Sequence, residues 1–267
     1  MRDLTPNSAA VQKVLRLAAP AWYTPVLIGQ FAFAAYIVYS YGLPLIIGDL
    51  NGWNSHLSQA YVPGREMGNA AVFAHLVIGL IVHVGGPLQL VPAIRKRFPA
   101  FHRWTGRAFV LGMIIAVGSG SVMLVAREIG DWTLRAGFMV QGTLILWFSF
   151  FAVRHAMRRE IAEHMKWATR LFLAASAVWF FRVLIMVWFV TTGGIGIDTS
   201  NGTGWFIDLM SALQFLPLVL YEVYWRVRDR GGMTSRVMMS VFLGISTLLL
   251  SVGVFLATFG MWFPILG

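Results

Sequence analysis

Residues 69–107 read NAAVFAHLVIGLIVHVGGPLQLVPAIRKRFPAFHRWTGR. The apolar part, Ala70 to Pro92, is long enough to cross a bilayer, for which a helix needs about 20 mostly apolar residues. It nevertheless carries two histidines, His75 and His83. A Gly85-Gly86-Pro87 step follows, then the basic cluster Arg95-Lys96-Arg97, then a third histidine in His102-Arg103-Trp104-Thr105-Gly106-Arg107. Half of the six histidines of the chain lie in this one stretch. Ionisable groups are costly inside a membrane segment, so each marks a candidate functional site.

Composition extends this reading to the whole chain. Of 267 residues, 58% are hydrophobic and 12% charged, against about 25% charged in a soluble domain; mean hydropathy is +0.70. A soluble fold of this length needs more polar surface than that. The expected fold is an all-α, polytopic transmembrane helix bundle. The net charge of +10 would suggest nucleic acid in a soluble protein. Here Lys and Arg fall between apolar runs, which points instead to orientation in the bilayer and contact with anionic lipids; no nucleic-acid partner is expected. The absence of cysteine excludes disulfides, iron–sulfur ligation and thiolate chemistry, leaving His, carboxylate and Met as metal ligands.

About seven spans are expected: Trp22 to Ile47, Ala70 to Pro92, Ala108 to Ala126, Ala136 to Val153, Trp167 to Val190, Trp205 to Trp225 and Val237 to Phe263. Residues 1–20, with Arg2, Lys13 and Arg16, read as an amphipathic segment on the cytoplasmic membrane surface, and 21–267 as a single helical domain. The first apolar run is too long for the core of a cleavable signal, so none is expected. Segments rich in Lys and Arg (2–16, 95–107, 154–166, 226–236) alternate with poor ones (48–69, 127–135, 191–204). The rich segments mark the cytoplasmic side, which places the N-terminus inside and the C-terminus outside. Trp22, Tyr23, Trp104, Trp132, Trp205, Trp225 and Trp262 fall near span ends, as interfacial aromatic residues do. Pro217 predicts a kink in the sixth span, and Gly85-Gly86-Pro87 a bend in the second. Gly112, Ala116 and Gly120 form a small-residue face that suits close helix packing or leaves room for a flat cofactor such as a porphyrin.

His75 and His83 are separated by about 12 Å along a helix and about 80° around it, so a regular helix cannot bring both to one metal ion. Each is either a ligand or an imidazole hydrogen-bonded to a neighbouring helix. His102, His155 and His164 are expected at the cytoplasmic ends of their spans with Arg103, Arg107, Arg154, Arg158 and Arg170. Together they could hold a metal, a haem propionate, a phosphate or a lipid head group, or simply form a lipid-facing basic cluster. Arg182, in SAVWFFRVLIMVWF, is too deep for topology alone to explain. Asp208 is the better match to it in depth, Glu222 the poorer. No nucleophile or phosphate-binding motif is present, so no catalytic residue is assigned.

The residues His75-x-x-x-Gly79, Gly86-Pro87-Leu88-Gln89, His102-Arg103-x-x-Gly106-Arg107, His164-x-x-Trp167-x-x-Arg170 and Arg182 resemble the bacterial membrane family DUF2306 over about residues 70–225. The resemblance implies a helical bundle in the bacterial inner membrane and brings no established activity. His75 with His102-Arg103-x-x-Gly106 is also similar to the cytochrome b561 group, which holds b haems between helices. This chain departs from that pattern, because no histidine lies deep in the third, fourth or fifth span to pair with His83; the similarity extends to one haem b near a face. The functional expectation is a haem- or metal-binding protein in electron transfer or quinone chemistry. An accessory subunit of a larger membrane complex and a small-solute or proton transporter stand beside it.

Overall fold

A computed structural model of the protein describes residues 6–57, 59–126, 131–200 and 202–263. The first helix, α1 (Pro6–Ile37), runs unbroken through Pro20 and Pro25. Residues 6–20 are thus the first turns of the helix that crosses the membrane rather than a separate helix; Met1 to Thr5 lie outside the described residues. Each proline removes one hydrogen bond of the helix, a loss that membrane helices often tolerate. The helix continues through a π-helical turn, Val38–Gly42, into α2 (Leu43–Ile47). Gly48, at φ 78°, ends it in the left-handed conformation that glycine adopts at little cost. A 3-10 turn, Leu50–Ser55, follows, with Asp49 accepting from the Gly52 N–H at 3.2 Å. Trp53 from this turn is buried, and its indole N–H donates to the Tyr41 carbonyl at 2.8 Å.

Helix α3 (Glu66–Gln89) continues unbroken through Gly85-Gly86-Pro87. Pro87 lies in the last turn, where its missing N–H removes one bond only, and Gly86 is needed for packing: a Cβ on it would stand 2.7 Å from the Phe109 ring. The basic turn is itself a short helix, α4 (Pro92–Arg97), and α5 (Pro99–Ala126) begins well before the expected Ala108. Then come α6 (Trp132–Met157), α7 (Ile161–Ala175) and α8 (Ala177–Thr192), the last two bent by 49° at Ser176. Helices α9 (Trp205–Leu213) and α10 (Leu216–Arg230) part at Gln214-Phe215, with Pro217 in the first turn of α10, where the kink was expected. Helix α11 (Met233–Ala257) ends in a second π-helical turn, Thr258–Trp262.

Six of these segments are long and apolar enough to span a membrane, and the bent pair α7–α8 makes a seventh. Lipid tails are as apolar as leucine, so close packing and hydrogen bonds, not hydrophobic burial, must hold the helices together. Helix α3 packs on α5 and α1, α1 on α11, α11 on α8, and α6 on α7 and α9. Small residues set these approaches. A Cβ on Gly112 would meet Ile78 at 3.3 Å, one on Gly120 would meet His75 at 3.5 Å, and one on Gly253 would meet Val183 at 2.7 Å. Two members of the small-residue face of α5, Gly112 and Gly120, thus lie against Ile78 and His75 of α3. Apolar residues such as Leu111, Ile114, Leu248 and Leu249 remain exposed on the outside of the bundle, where lipid covers them.

Candidate functional site: a polar and aromatic cluster in the middle of the bundle

The sequence-derived candidates fall into two regions. One is the basic end, where α3 turns into α5 and α6 into α7. There Gln89, the last residue of α3, reaches the first turns of α5. With its amide turned to satisfy both ends, its nitrogen donates to His102 Nδ1 (3.0 Å) and to the His102 carbonyl (3.2 Å), while its oxygen accepts from the Gly106 N–H (3.1 Å) and the Thr105 hydroxyl. A Cβ on Gly106 would come within 3.2 Å of the Gln89 amide nitrogen in this orientation, so the glycine admits this contact. His164 Nδ1 bonds the Ala152 carbonyl at 2.9 Å, which requires the proton on that nitrogen. His155 pairs with Glu160 and stacks on Trp167. Arg170 grips Glu222 through two bonds of 2.6 and 3.1 Å and lies over Trp167, 4.6 Å from its centroid. Arg103 and Arg107 are exposed, Arg107 over Trp104. The three histidines thus serve three different partners. Among the described residues no three His, Asp or Glu side chains converge as a metal site requires.

The second region lies in the middle of the bundle, between α1, α3 and α8. His83 Nδ1 faces the Gln30 amide oxygen, and the Gln30 nitrogen donates to the Ser176 hydroxyl at 3.0 Å. Because that nitrogen is spent on Ser176, the oxygen must accept from His83. Nδ1 then carries the proton and Nε2 keeps its lone pair. His75 repeats the arrangement on α5: Ser119 donates to the Ala116 carbonyl at 3.3 Å and accepts from His75 Nδ1 at 3.2 Å. His83 Nε2 has no protein partner among the described residues, whereas the His75 ring also reaches the Ala116 backbone; both residues keep part of their surface open.

Phe33 of α1 is the hub. The His83 ring meets it edge-on at 4.7 Å, Trp262 of the α11 π turn packs on it at 5.0 Å, and Tyr36 at 5.6 Å. The Arg182 guanidinium stands over the same ring, 5.3 Å from its centroid. Its charge is within electrostatic reach of both histidines and of Tyr36 and Tyr41. The expected ion pair with Asp208 is not formed. Among the described residues Arg182 meets no carboxylate, and one Asp208 oxygen is buried without a partner. Matching depth along two helices ignored direction: Arg182 points at α1. Beyond Phe33, Tyr36 and Tyr41 each contact His56 at 5.8 Å, below the loop that buries Trp53.

Sequence reasoning passed over Gln30, Phe33, Tyr36, Tyr41 and Ser176, and read Trp262 as an interfacial residue, whereas it is buried against Phe33. Gln30 had a usable signal, an amide alone in an apolar run, which is costly in a membrane for the same reason as a histidine. This cluster offers one imidazole lone pair on a fixed ring, one cation without a carboxylate among the described residues, and aromatic rings around them. Such a set suits a flat ligand that bears hydrogen-bonding oxygen atoms.

No curated protein and no solved structure matches the chain. The family described as "Predicted membrane protein (DUF2306)" matches residues 72–225. That range runs from the first turns of α3 into the last turns of α10 and includes the Gln89 contact, the α7–α8 bend, His75, His83 and Arg182. More than half of the chain lies within the match, and the protein belongs to the DUF2306 family of membrane proteins.

Proposed function

We propose that this cluster lines a chamber that binds the head group of a quinone-type redox carrier and that the protein works in membrane electron transfer. The observation that carries this reading is the shared Phe33 ring, with His83 edge-on and the Arg182 guanidinium above it. A guanidinium in the middle of a membrane, with no carboxylate among the described residues, favours a ligand that supplies negative charge or strong acceptors. A quinone ring supplies both. Its carbonyl oxygens accept from Arg182, and negative charge that develops on them is stabilised there. A hydroxyl of the reduced form donates to His83 Nε2. The rings of Phe33, Tyr36 and Trp262 give the flat head group apolar faces to lie against.

A second reading rests on the same nitrogen. An imidazole whose Nδ1–H is held by an acceptor and whose Nε2 is bare is oriented as haem-ligating histidines are, so His83 or His75 would be the axial ligand of a single haem b.

The test begins with the protein purified from membranes in mild detergent. Solvent extraction is expected to release quinone in stoichiometric amount, and a short-chain quinone should bind the emptied protein. Arg182→Met and His83→Leu should each weaken that binding about tenfold to a hundredfold. No bound quinone, together with unchanged affinities in both variants, would sink the proposal. The visible spectrum of the same sample, oxidised and then reduced with dithionite, decides the haem reading. A Soret band that sharpens on reduction and disappears in His83→Leu or His75→Leu would establish it.

A further inference from the structure

Away from the chamber, at the basic end, α1 and α10 leave between them a cavity of about 570 Å³. It is bordered by Gln12, Arg16 and Pro20 of α1 and by Tyr224, Arg228 and Asp229 of α10. Nothing in the chamber or the family match accounts for it. Four of these six residues carry hydrogen-bond donors, and two are guanidinium groups.

The donors differ in how they are held. Arg228 is fixed from two sides: its Nε donates to Asp229 at 2.9 Å, and its guanidinium lies over Trp225, 3.4 Å from the ring centroid. Arg236 of α11 braces the backbone beneath, donating to the Arg228 carbonyl at 3.4 Å. The outer nitrogens of Arg228 remain for a ligand. Arg16 is exposed and meets no carboxylate among the described residues. Pro20 has no N–H, so the Arg16 carbonyl loses its partner within the helix. The wall behind is apolar, where Leu15, Met239 and Leu243 pack with Ala18, Trp22 and Tyr224.

Charge identifies the occupant. Two guanidiniums and one carboxylate leave one net positive charge, which matches a phosphodiester with its single negative charge better than a doubly charged phosphomonoester. Position identifies the level. The cavity sits beside Trp22 and Trp225, aromatic residues of the kind that settle where head groups meet water, and both of its walls are membrane-spanning helices. We propose that this cavity is a specific site for a phosphodiester group, with Arg16 and Arg228 clamping the phosphate. The Arg16 carbonyl and Asp229 would accept from a hydroxyl or ammonium group next to it. A glycerophospholipid head group has this chemistry, and so does a soluble phosphodiester.

Native mass spectrometry of the full chain, delipidated in detergent, tests the site and its source. The probes are short-chain phosphatidylglycerol, glycerophosphoglycerol and inorganic phosphate. One phosphatidylglycerol per chain is expected, bound about tenfold more weakly by Arg16→Gln and by Arg228→Gln. Arg226→Gln, which removes the same charge from an exposed position on α10, should bind as the unaltered protein does. Equal affinity for glycerophosphoglycerol and the lipid would assign the site to a soluble diester. A higher affinity for the lipid would assign it to the membrane. Asp229→Asn adds one net positive charge and should shift preference toward inorganic phosphate. Equal weakening by Arg226→Gln and Arg228→Gln would overturn the proposal, because diffuse attraction would then explain the binding. So would the absence of any bound phosphate compound, provided the melting temperatures of the variants show that they fold.

Discussion

His102 and His83 belong to the same bundle, but their surroundings differ. His102 sits at the junction of α3 and α5, where one glutamine side chain meets its ring, its carbonyl, the Thr105 hydroxyl and the Gly106 N–H. His83 sits midway across, held at one nitrogen by Gln30 and open at the other, beside an arginine that meets no carboxylate among the described residues. Around His102 the interactions are local and matched: Arg170 with Glu222, Lys166 with Glu163, His155 with Glu160. Around His83 the protein supplies half of each interaction. The first arrangement fastens helix ends. The second keeps groups in a state that costs stability, which is how binding sites differ from struts.

The largest effect that would sharpen this contrast is at the fastened end. Glu222→Ala removes the partner of Arg170, whose side chain is 18% exposed, and should lower stability by about 2–3 kcal/mol. Thermal melting in detergent measures it, and the double variant Arg170→Met/Glu222→Leu should recover most of the loss. Arg182→Met should behave in the opposite way. Removing a cation that has no protein counter-charge should leave melting unchanged or raise stability by about 1 kcal/mol, while quinone binding is lost. A fall as deep as that of Glu222→Ala would break the contrast and make Arg182 a strut. Gln89→Ala should cost about 1 kcal/mol, the scale of interhelical polar contacts in membranes, with no effect on chamber binding. The smallest effect is Gly106→Ala: the new methyl would press on the Gln89 amide nitrogen, and about a few tenths of a kcal/mol are expected.

The spans were legible because hydropathy and the placement of Lys and Arg report them directly. Ala70 to Arg107 alone established a membrane helix with titratable groups in it, and Pro217 marked the break between α9 and α10. The bend at Ser176 was not legible. Its flanks, LAASAVWFF, hold neither Gly nor Pro. What holds it is tertiary: Gln30 donates to the Ser176 hydroxyl, and Gln141 to the Ala174 carbonyl at 2.9 Å. The π turns at Val38–Gly42 and Thr258–Trp262 are hidden for the same reason, since one extra residue per turn leaves no mark on an apolar run. His75, His83 and Arg182 could be singled out by cost alone. Which of them share a space depends on helix rotation, and hydropathy carries no information about that.

Ser176 also changes what the α7–α8 span can transmit. A straight helix behaves as a rod, and a push at one end arrives at the other. This span is two arms meeting at a 49° elbow. Arg170 on one arm is clamped to Glu222, and Arg182 on the other faces the chamber. The elbow is pinned by two glutamines from different helices, α1 and α6. Those two pins fix the angle between the arms, so one span aims its clamped arginine and its uncountered one in different directions, which a straight rod could not do.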